Sequence, residues 1–441
     1  MTSTDDSDLV DVCVVGLGYV GLTLATAFAL AGMRVVGFER DGNVAEQIAA
    51  GASPFHEDGL DAAVLEVTSS GMLCAVTTDA LLPRAKAYVI TVGTPVRDGS
   101  IWLRDLENAL VRVAEGMPES ALVVLRSTVR VGTTRGLART TLAASGKRFF
   151  LAMAPERTIE GRALAELKSL PQIVGGIDER STEIAASLFA VLGIDIVRVG
   201  TVEAAELAKL SSNTYRDLQF AFANELAYLA DTMGVDVFDV IRACNYGYER
   251  MNLPLPGPVA GPCLEKDAYI LADSARQYGT EAALSMTGRR TNEAMVSHVA
   301  GILENVLQVA PAHVAILGIA FKGRPATSDV RGSMARDFAT DFRDRWPGVS
   351  VVGWDPLVSA ADAASIGIDL LELDKSTRDA EVVLIQTNHV YFSSAEFAKS
   401  LTRSMTSGTI VLDLWNQVSS ELSERADIRV LTLGRSKVDA F

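Results

Sequence analysis

The sequence predicts an α/β protein: two doubly wound parallel-sheet lobes joined by a helical middle that contains one long central helix. Three observations point there. The chain opens with a strand–turn–helix–strand unit, "VCVVGLGYVGLTLATAFALAGMRVV" (12–36). Apolar, β-rich runs then alternate with helix-like stretches through the first two hundred residues, the rhythm of a parallel sheet with crossover helices. The rhythm stops over residues 203–309 and returns with four more strand candidates. The expected organisation is a frayed polar tail (1–8), a first sheet domain (9–202), a helical central domain (203–309) and a second, Rossmann-like sheet domain (310–441).

The opening unit carries 22 consecutive uncharged residues between Asp11 and Arg34, long enough to span a bilayer as a helix. Its glycines give it another meaning. Gly16, Gly18 and Gly21 spell G-x-G-x-x-G directly after an apolar strand, and Glu39 closes the second strand 18 residues beyond Gly21. In a Rossmann unit the first glycine permits the tight turn, the second lets the backbone approach a pyrophosphate, and the third lets helix and strand pack closely. The helix N-terminus supplies free N–H groups and a positive dipole end for the anion. Glu39 is placed to accept from the adenosine ribose and disfavours a 2′-phosphate, so NAD is the expected cofactor. Arg40 beside it weighs slightly toward a 2′-phosphate, but its favoured reading is a solvated loop residue. A buried parallel strand followed by a buried helix is apolar throughout, which accounts for the missing charges without a membrane.

Further strands are expected in "AKAYVITVGTP" (85–95), "SALVVLRSTV" (120–129), "RFFLAMAPE" (148–156), "LPQIVGG" (170–176) and "IDIVRVG" (194–200), and later in "AHVAILGIAF", "VSVVGWDP", "AEVVLIQTN" and "GTIVLDLWN". Between the two sets lies a long helix over 203–243. At about 100° per residue, Leu207, Leu210, Leu218, Phe222, Leu226 and Leu229 share one face, opposite Glu206, Lys209, Asn213 and Arg216. Such a helix is a natural spacer and a natural dimer surface.

Bulk properties narrow the function. A net charge of −15 with a pI near 4.8 argues against nucleic-acid binding. Four cysteines and four histidines (His56, His298, His313 and His389) are scattered without CxxC or metal-ligand spacing, so no metal and no disulfide framework is expected. A reducing cytoplasm suits this pattern, and the acidic "MTSTDDSD" start lacks the basic region of a signal peptide.

Chemistry concentrates in "GPVAGPCLEKDAYIL" (257–271), where Cys263, Lys266 and Asp267 follow a Pro/Gly stretch and open a helix. A thiol near a helix N-terminus and a lysine has the conditions for a lowered pKa. It could attack an aldehyde carbon, with Asp267 one turn along as proton acceptor; the other reading is a small buried filler. Lys209 and Asn213, four residues apart on the long helix, could both donate to an oxyanion; the other reading is a solvated face. "FKGRPATSDVRGS" (321–333) brings Lys322, Arg324 and Arg331 into one strand-to-helix loop, which suits an anionic group; the other reading is a solvated loop.

Taken in order, "GLGYVGL" (16–22), "GTP" (93–95), "STV" with "GTT" (127–134), "APERTIEG" (154–161), "AELAKLSSNTYR" (205–216), "GPCLEKD" (261–267) and "GIAFKGRPATSDVRGS" (318–333) resemble the NAD-dependent UDP-sugar 6-dehydrogenases of the UDP-glucose/GDP-mannose dehydrogenase family. The resemblance implies a two-step oxidation of a nucleotide-sugar C6 alcohol to the acid through a thiohemiacetal and a thioester on Cys263. It implies that Lys209 and Asn213 stabilise the oxyanion, that Asp267 assists proton transfer, that Glu156 positions or activates water, and that Thr128 orders a catalytic water. It implies NAD contacts from Gly16, Gly18, Tyr19, Val20, Gly21, Glu39 and Arg40, and from Thr94, Pro95, Ser127, Thr128 and Lys266. It implies substrate contacts from Glu156, Arg157, Lys209, Asn213, Lys322 and Arg331, and from Arg250, Asn252, Pro256 and Gly257, with Arg250 reaching a neighbouring subunit. Dimers would form through the central helix, and no membrane partner is implied.

"YERMNLPLPGPVAGPCLEKD" (248–267) is similar to the UDP-N-acetylhexosamine branch, which acts on the mannosamine or glucosamine epimer, although Ala260 and Pro262 depart from its usual loop. The alternatives are a UDP-glucose 6-dehydrogenase, a two-electron hydroxyacid-type dehydrogenase that does not use Cys263, and a non-catalytic nucleotide-sugar sensor.

Overall fold

In the computed structural model, which describes residues 9–77, 82–97, 99–418, 422 and 425–435, β1 (Val10–Val15) lies between β2 (Val35–Glu39) and β4 (Ala85–Ile90), parallel to both. The polar tail expected at 1–8 falls outside the described residues. Successive side chains of β1 point to opposite faces. Val12 and Val14 enter a core with Leu22, Phe28 and Leu122, while Cys13 and Val15 enter another with Tyr88, Leu106 and Val123. This burial on both faces is why the opening segment carries no charge.

Among the described residues the first sheet has eight strands in the order β10-β9-β8-β7-β4-β1-β2-β3. The members not yet given are β3 (Leu73–Thr77), β7 (Ala121–Leu125), β8 (Phe149–Met153), β9 (Gln172–Gly176) and β10 (Ile196–Arg198). A short antiparallel pair, β5 (Val96–Arg97) with β6 (Ser100–Ile101), stands apart. The sheet is parallel with one reversal: β9 runs antiparallel to β8, and β10 runs with β9. An antiparallel neighbour needs no crossover, so β9 begins at the edge of the sheet where β8 ends.

The second sheet is parallel throughout, in the order β13-β12-β11-β14-β15-β16. Its strands are β11 (His313–Leu317), β12 (Ser350–Trp354), β13 (Asp369–Leu370), β14 (Val382–Ile385), β15 (Ile410–Asp413) and β16 (Arg429–Thr432). This is the doubly wound order whose switch point lies between the first and fourth strands. β3, β13 and β16 were not among the strands read from sequence.

The helical middle comprises Val202–Met233, Val237–Asn245, Leu264–Gln277, Ala283–Glu293 and Met295–Val306. By contacts the chain forms two compact units, residues 1–212 with 269–281, and 213–268 with 282–441. Ala227, Val237, Met295, Val299 and Leu303 from the middle helices share one core with Val314 and Ile316 of the second sheet, which binds most of the helical middle to that sheet. Among the described residues no helix is long and apolar enough to cross a membrane.

The long helix corrects the expected distribution of faces. Leu210 is fully buried, but Leu207, Phe222 and Leu229 are 45–48% exposed, while the polar Glu206 and Lys209 are nearly inaccessible. Glu206 is drawn inward by dedicated donors: its carboxylate accepts from Gly132 N (2.6 Å), Thr134 N (2.8 Å) and the Thr134 hydroxyl (2.7 Å). These hydrogen bonds reduce the cost of burying the carboxyl, although burial still prevails and raises its pKa.

Candidate active site

The first unit builds a dinucleotide cradle from local geometry. Gly16 sits at φ +92°, where only glycine is unstrained. Its carbonyl accepts from the Thr91 hydroxyl at 2.6 Å, which ties the turn to the end of β4. A Cβ on Gly21 would stand 1.8 Å from Gly16 O, so the helix Tyr19–Leu30 can approach the turn only as it is. At Gly18, the N-cap of that helix, a Cβ would meet nothing within 4 Å, and no side chain occupies the cap. The turn therefore presents helix N–H groups behind an open surface, which fits a pyrophosphate. Gly21→Ala is expected to destabilise the first unit by about 1–3 kcal/mol through overpacking, whereas Gly18→Ala should leave its melting unchanged and weaken NAD. Thermal scans and NAD titration of the two variants separate these effects.

Glu39 closes the cradle. Its carboxylate accepts from Leu17 N (2.6 Å), Arg40 N (2.8 Å) and Asp41 N (3.1 Å). The Arg40 guanidinium pairs with Asp105 at 3.0 Å and is largely exposed. Tyr19 stacks on Phe55 with ring centroids 3.8 Å apart, and Val20 lies in the same first turn. The Thr94 hydroxyl donates to Thr128 O at 2.5 Å, and the Ser127 hydroxyl donates to Val92 O at 2.7 Å. These bonds join the loop holding Thr94 and Pro95 to the one holding Ser127 and Thr128.

The second sheet repeats part of this plan. Asp355, just past β12, accepts from Ile319 N (2.7 Å), Ala320 N (3.0 Å), Leu357 N (2.8 Å) and Val358 N (3.0 Å). Its helix starts only at Met334, however, after the whole 318–333 loop. The turn-to-helix cradle is thus a property of the first sheet. Within the loop, Arg331 pairs with Asp329 (Nη2–Oδ2, 2.7 Å), Arg324 donates to Asn388 O (2.9 Å), and Lys322 lies 5.3 Å from the Phe321 ring centroid.

Glu156 lies past the end of β8, beside a residue the sequence reading missed. Arg126, just past β7, is 2% exposed; its Nε donates to Glu156 Oε2 at 3.0 Å, and its Nη2 bonds the same oxygen. Nη1 donates to Gln172 Oε1 at 2.8 Å, and Gln172 is there because β9 reverses. The other Glu156 oxygen accepts from Arg157 N and Thr158 N, both at 2.6 Å. The Arg157 guanidinium turns to Pro171 O. The signal for Arg126 was present in retrospect: adjacent parallel strands ended in an arginine and in "PE". Glu57 anchors the same loop by accepting from Gly161 N and Ala163 N, each at 2.6 Å.

Burial, the largest single influence, would raise the Glu156 pKa. The Arg126 charge, the Thr158 N–H and the Lys209 charge outweigh it, so the group is held below its ordinary value of 4.5. It is therefore ionised at neutral pH and is better suited to positioning than to removing a proton. A carboxyl whose folded pKa is depressed adds stability that is present above the unfolded value and lost as pH falls through the folded one. The unfolding midpoint in urea is therefore expected to fall below about pH 4.5, and Glu156→Gln, less stable at pH 7, should lack that component. A midpoint independent of Glu156 across pH 3–7 would contradict this.

In the second unit, Asn213 Nδ2 donates to Asp267 Oδ2 at 2.6 Å, and Lys266 Nζ approaches Oδ1 at 3.3 Å. Asp267 is 1% exposed. Cys263 is exposed and stands immediately before the helix Leu264–Gln277, its carbonyl accepting from Asp267 N at 3.0 Å. The thiol therefore belongs to a helix N-terminus, with the lysine and aspartate in the first turn. Lys209, a turn before Asn213 on the long helix, is 5% exposed. Pro256 and Gly257 are buried, with Gly257 packed under the Trp415 ring. Arg250 and Asn252 are exposed, and Arg250 lies over the Tyr248 ring at 4.7 Å.

A glycine turn for a dinucleotide, a cysteine-led helix and two doubly wound sheets define a nucleotide-dependent dehydrogenase. The chain belongs to the UDP-glucose/GDP-mannose dehydrogenase family: its NAD-binding domain matches residues 10–193, its central domain 203–294 and its UDP-binding domain 315–420. The UDP-N-acetyl-D-mannosamine dehydrogenase of Pyrococcus horikoshii is 34% identical, with 91% of this chain and 94% of that protein aligned. The solved structure of the P. horikoshii UDP-D-ManNAc dehydrogenase superposes with a TM-score of 0.86 at 32% identity, over 97% of this chain and all of that one. A UDP-glucose dehydrogenase from Pyrobaculum islandicum gives 0.84 at 29% identity, over 99% of this chain and all of that one.

Proposed function

We propose that the chain oxidises the C6 hydroxymethyl of UDP-N-acetylmannosamine to the carboxylate, releasing two NADH per sugar. The observation that carries the reading is the Cys263 helix start, whose first turn holds Lys266 and Asp267 and where Asn213, from the long helix, donates to Asp267. The sugar follows the relatives, several of which are named for that substrate. NAD, when bound, supplies the hydride acceptor for both oxidations.

In the first, Asp267 takes the hydroxyl proton while Lys209 and Asn213 steady the developing alkoxide. The Cys263 thiolate then adds to the aldehyde carbon, and the oxygen takes up a proton, giving a thiohemiacetal. Loss of its carbinol hydride and hydroxyl proton leaves a thioester. Water, placed by Glu156 and Thr128, adds to the acyl carbon, and the thiolate leaves. One alcohol, two NAD⁺ and one water thus give one carboxylic acid, two NADH and two protons, with Cys263 returned.

We assign residues 9–202 to NAD, 203–309 to the central helices and 310–441 to UDP, with Lys322 and Arg331 toward the diphosphate. Arg250, Asn252 and the Pro256–Gly257 segment are assigned to the sugar. A homodimer in the cytoplasm is part of the same reading. Leu207, Tyr215, Phe222, Leu229 and Met233 form an open apolar stripe on the long helix, each 45–69% exposed, of the kind that a second copy covers.

Purified protein incubated with NAD and UDP-N-acetylmannosamine, UDP-N-acetylglucosamine, UDP-N-acetylgalactosamine or UDP-glucose should form two NADH per molecule of the first and turn over the others more slowly. One NADH per sugar would favour a two-electron dehydrogenase. Preference for UDP-glucose would overturn the sugar but keep the chemistry.

A further inference from the structure

We propose that Arg289, together with Asp217, Asn224 and Asn292, is a clamp that positions the Cys263 loop for the second oxidation. This rests on the reading of Cys263 as nucleophile. Each of the four residues is at most 2% exposed. Arg289 Nη1 donates to Leu264 O, the residue after the cysteine, at 3.1 Å, and to Asp217 Oδ1 at 2.9 Å; Nη2 donates to Val259 O at 3.3 Å. Asn224 holds Gly257 on both backbone groups, donating to its carbonyl at 3.1 Å and accepting from its N–H at 2.8 Å. Asn292 closes the set, donating to Asp217 Oδ1 at 2.8 Å and accepting from Asn224 Nδ2 at 2.9 Å.

The loop needs such a clamp because of its composition. Residues 252–263 contain four prolines (Pro254, Pro256, Pro258 and Pro262). Prolines donate no backbone hydrogen bond, so the segment cannot tie itself down by a ladder of its own, and its buried carbonyls require outside donors. The clamp grips residues 257, 259 and 264 through backbone atoms alone. It is therefore indifferent to the side chains at Ala260 and Pro262, the two positions that depart from the expected loop. Gly261 and Gly332, joined N to O at 3.1 Å, brace the loop from the second sheet's side.

The two oxidations depend on the loop unequally. The first needs no sulfur, whereas the second requires Cys263 within bonding reach of the aldehyde carbon. A loosened loop should therefore cost the second step selectively.

The test uses Arg289→Lys, which keeps the charge but loses the planar fork, and the double variant Asp217→Leu/Arg289→Met, since apolar replacement of both members of a buried pair preserves folding in favourable cases. Variants that melt within a few degrees of wild type are assayed with semicarbazide present to capture free aldehyde, and wild type with semicarbazide sets the reference for acid formation. At saturating sugar, where weaker binding through the Pro256–Gly257 segment is not read, the first hydride transfer should stay within about threefold of wild type, while acid formation falls at least about tenfold and captured aldehyde rises. In protein without sugar, the rate of iodoacetamide alkylation of the Cys263 peptide across pH 6–9 should change at least about threefold from wild type. Folded variants that lose both oxidations equally, or keep two NADH per sugar with an unchanged alkylation profile, would overturn the clamp. Cys263→Ser, run in parallel, separates the two ideas. If it still yields two NADH, the nucleophile reading falls and the clamp with it; if it stalls while the clamp variants behave as wild type, the clamp alone falls.

Discussion

Serine in place of Cys263 is expected to abolish acid formation, by at least about 10³-fold, while leaving the protein folded. The side chain is exposed and stands at the start of its helix, so exchanging sulfur for oxygen disturbs no packing. The chemistry changes because a hydroxyl is far less acidic than a thiol and a much poorer nucleophile toward a carbonyl carbon at neutral pH. Without a covalent adduct, the sugar should stop at the aldehyde and NADH should not exceed one per molecule. NADH counting by absorbance, with product mass measured in parallel, checks both halves. Two NADH per sugar from the serine variant would remove the thioester route.

Removing Arg126 is expected to have the largest structural effect of any substitution in the first unit. Arg126→Met strips the positive partner from Glu156, leaving a fully buried carboxylate held by two backbone donors, and frees Gln172 Oε1. Breaking one side of a buried ion pair costs about 3–5 kcal/mol, so a thermal scan should show a clearly lowered first transition. The carboxyl should also lose its depressed pKa, since Arg126 is the strongest influence opposing burial. Activity should fall with it, because the "PERT" loop is shaped around that pair. A variant with wild-type melting would mean that Glu156 finds another counter-charge.

The parts of the site legible in the sequence are those whose function is set within a few neighbouring residues. The Gly16 turn, the Gly21 contact and Glu39 all belong to one strand–turn–helix–strand unit, so their spacing carries the geometry. Cys263, Lys266 and Asp267 share one helical turn, and the Leu264–Gln277 helix stands where its pattern placed it. What stayed hidden depends on partners far along the chain. Arg126 looked like an ordinary strand-end arginine until β8 and β9 brought Glu156 and Gln172 to it. Asp217, Asn224, Arg289 and Asn292 gave no signal, since polar residues on helices read as solvated until something buries them. The long helix misled for that reason: its leucines defined a core face, while Glu206 and Lys209 were the residues taken inside.

Sequence alone determined the two-sheet architecture and the dinucleotide turn, because apolar alternation and glycine sterics act over short range, and it singled out Cys263 as the candidate sulfur by first-turn placement together with the family resemblance. Tertiary structure alone decided which polar side chains would be buried and what would hold the Cys263 loop and Glu156 in place. A buried charge is tolerable only where distant groups supply its hydrogen bonds, and the chain meets those groups only after it has folded.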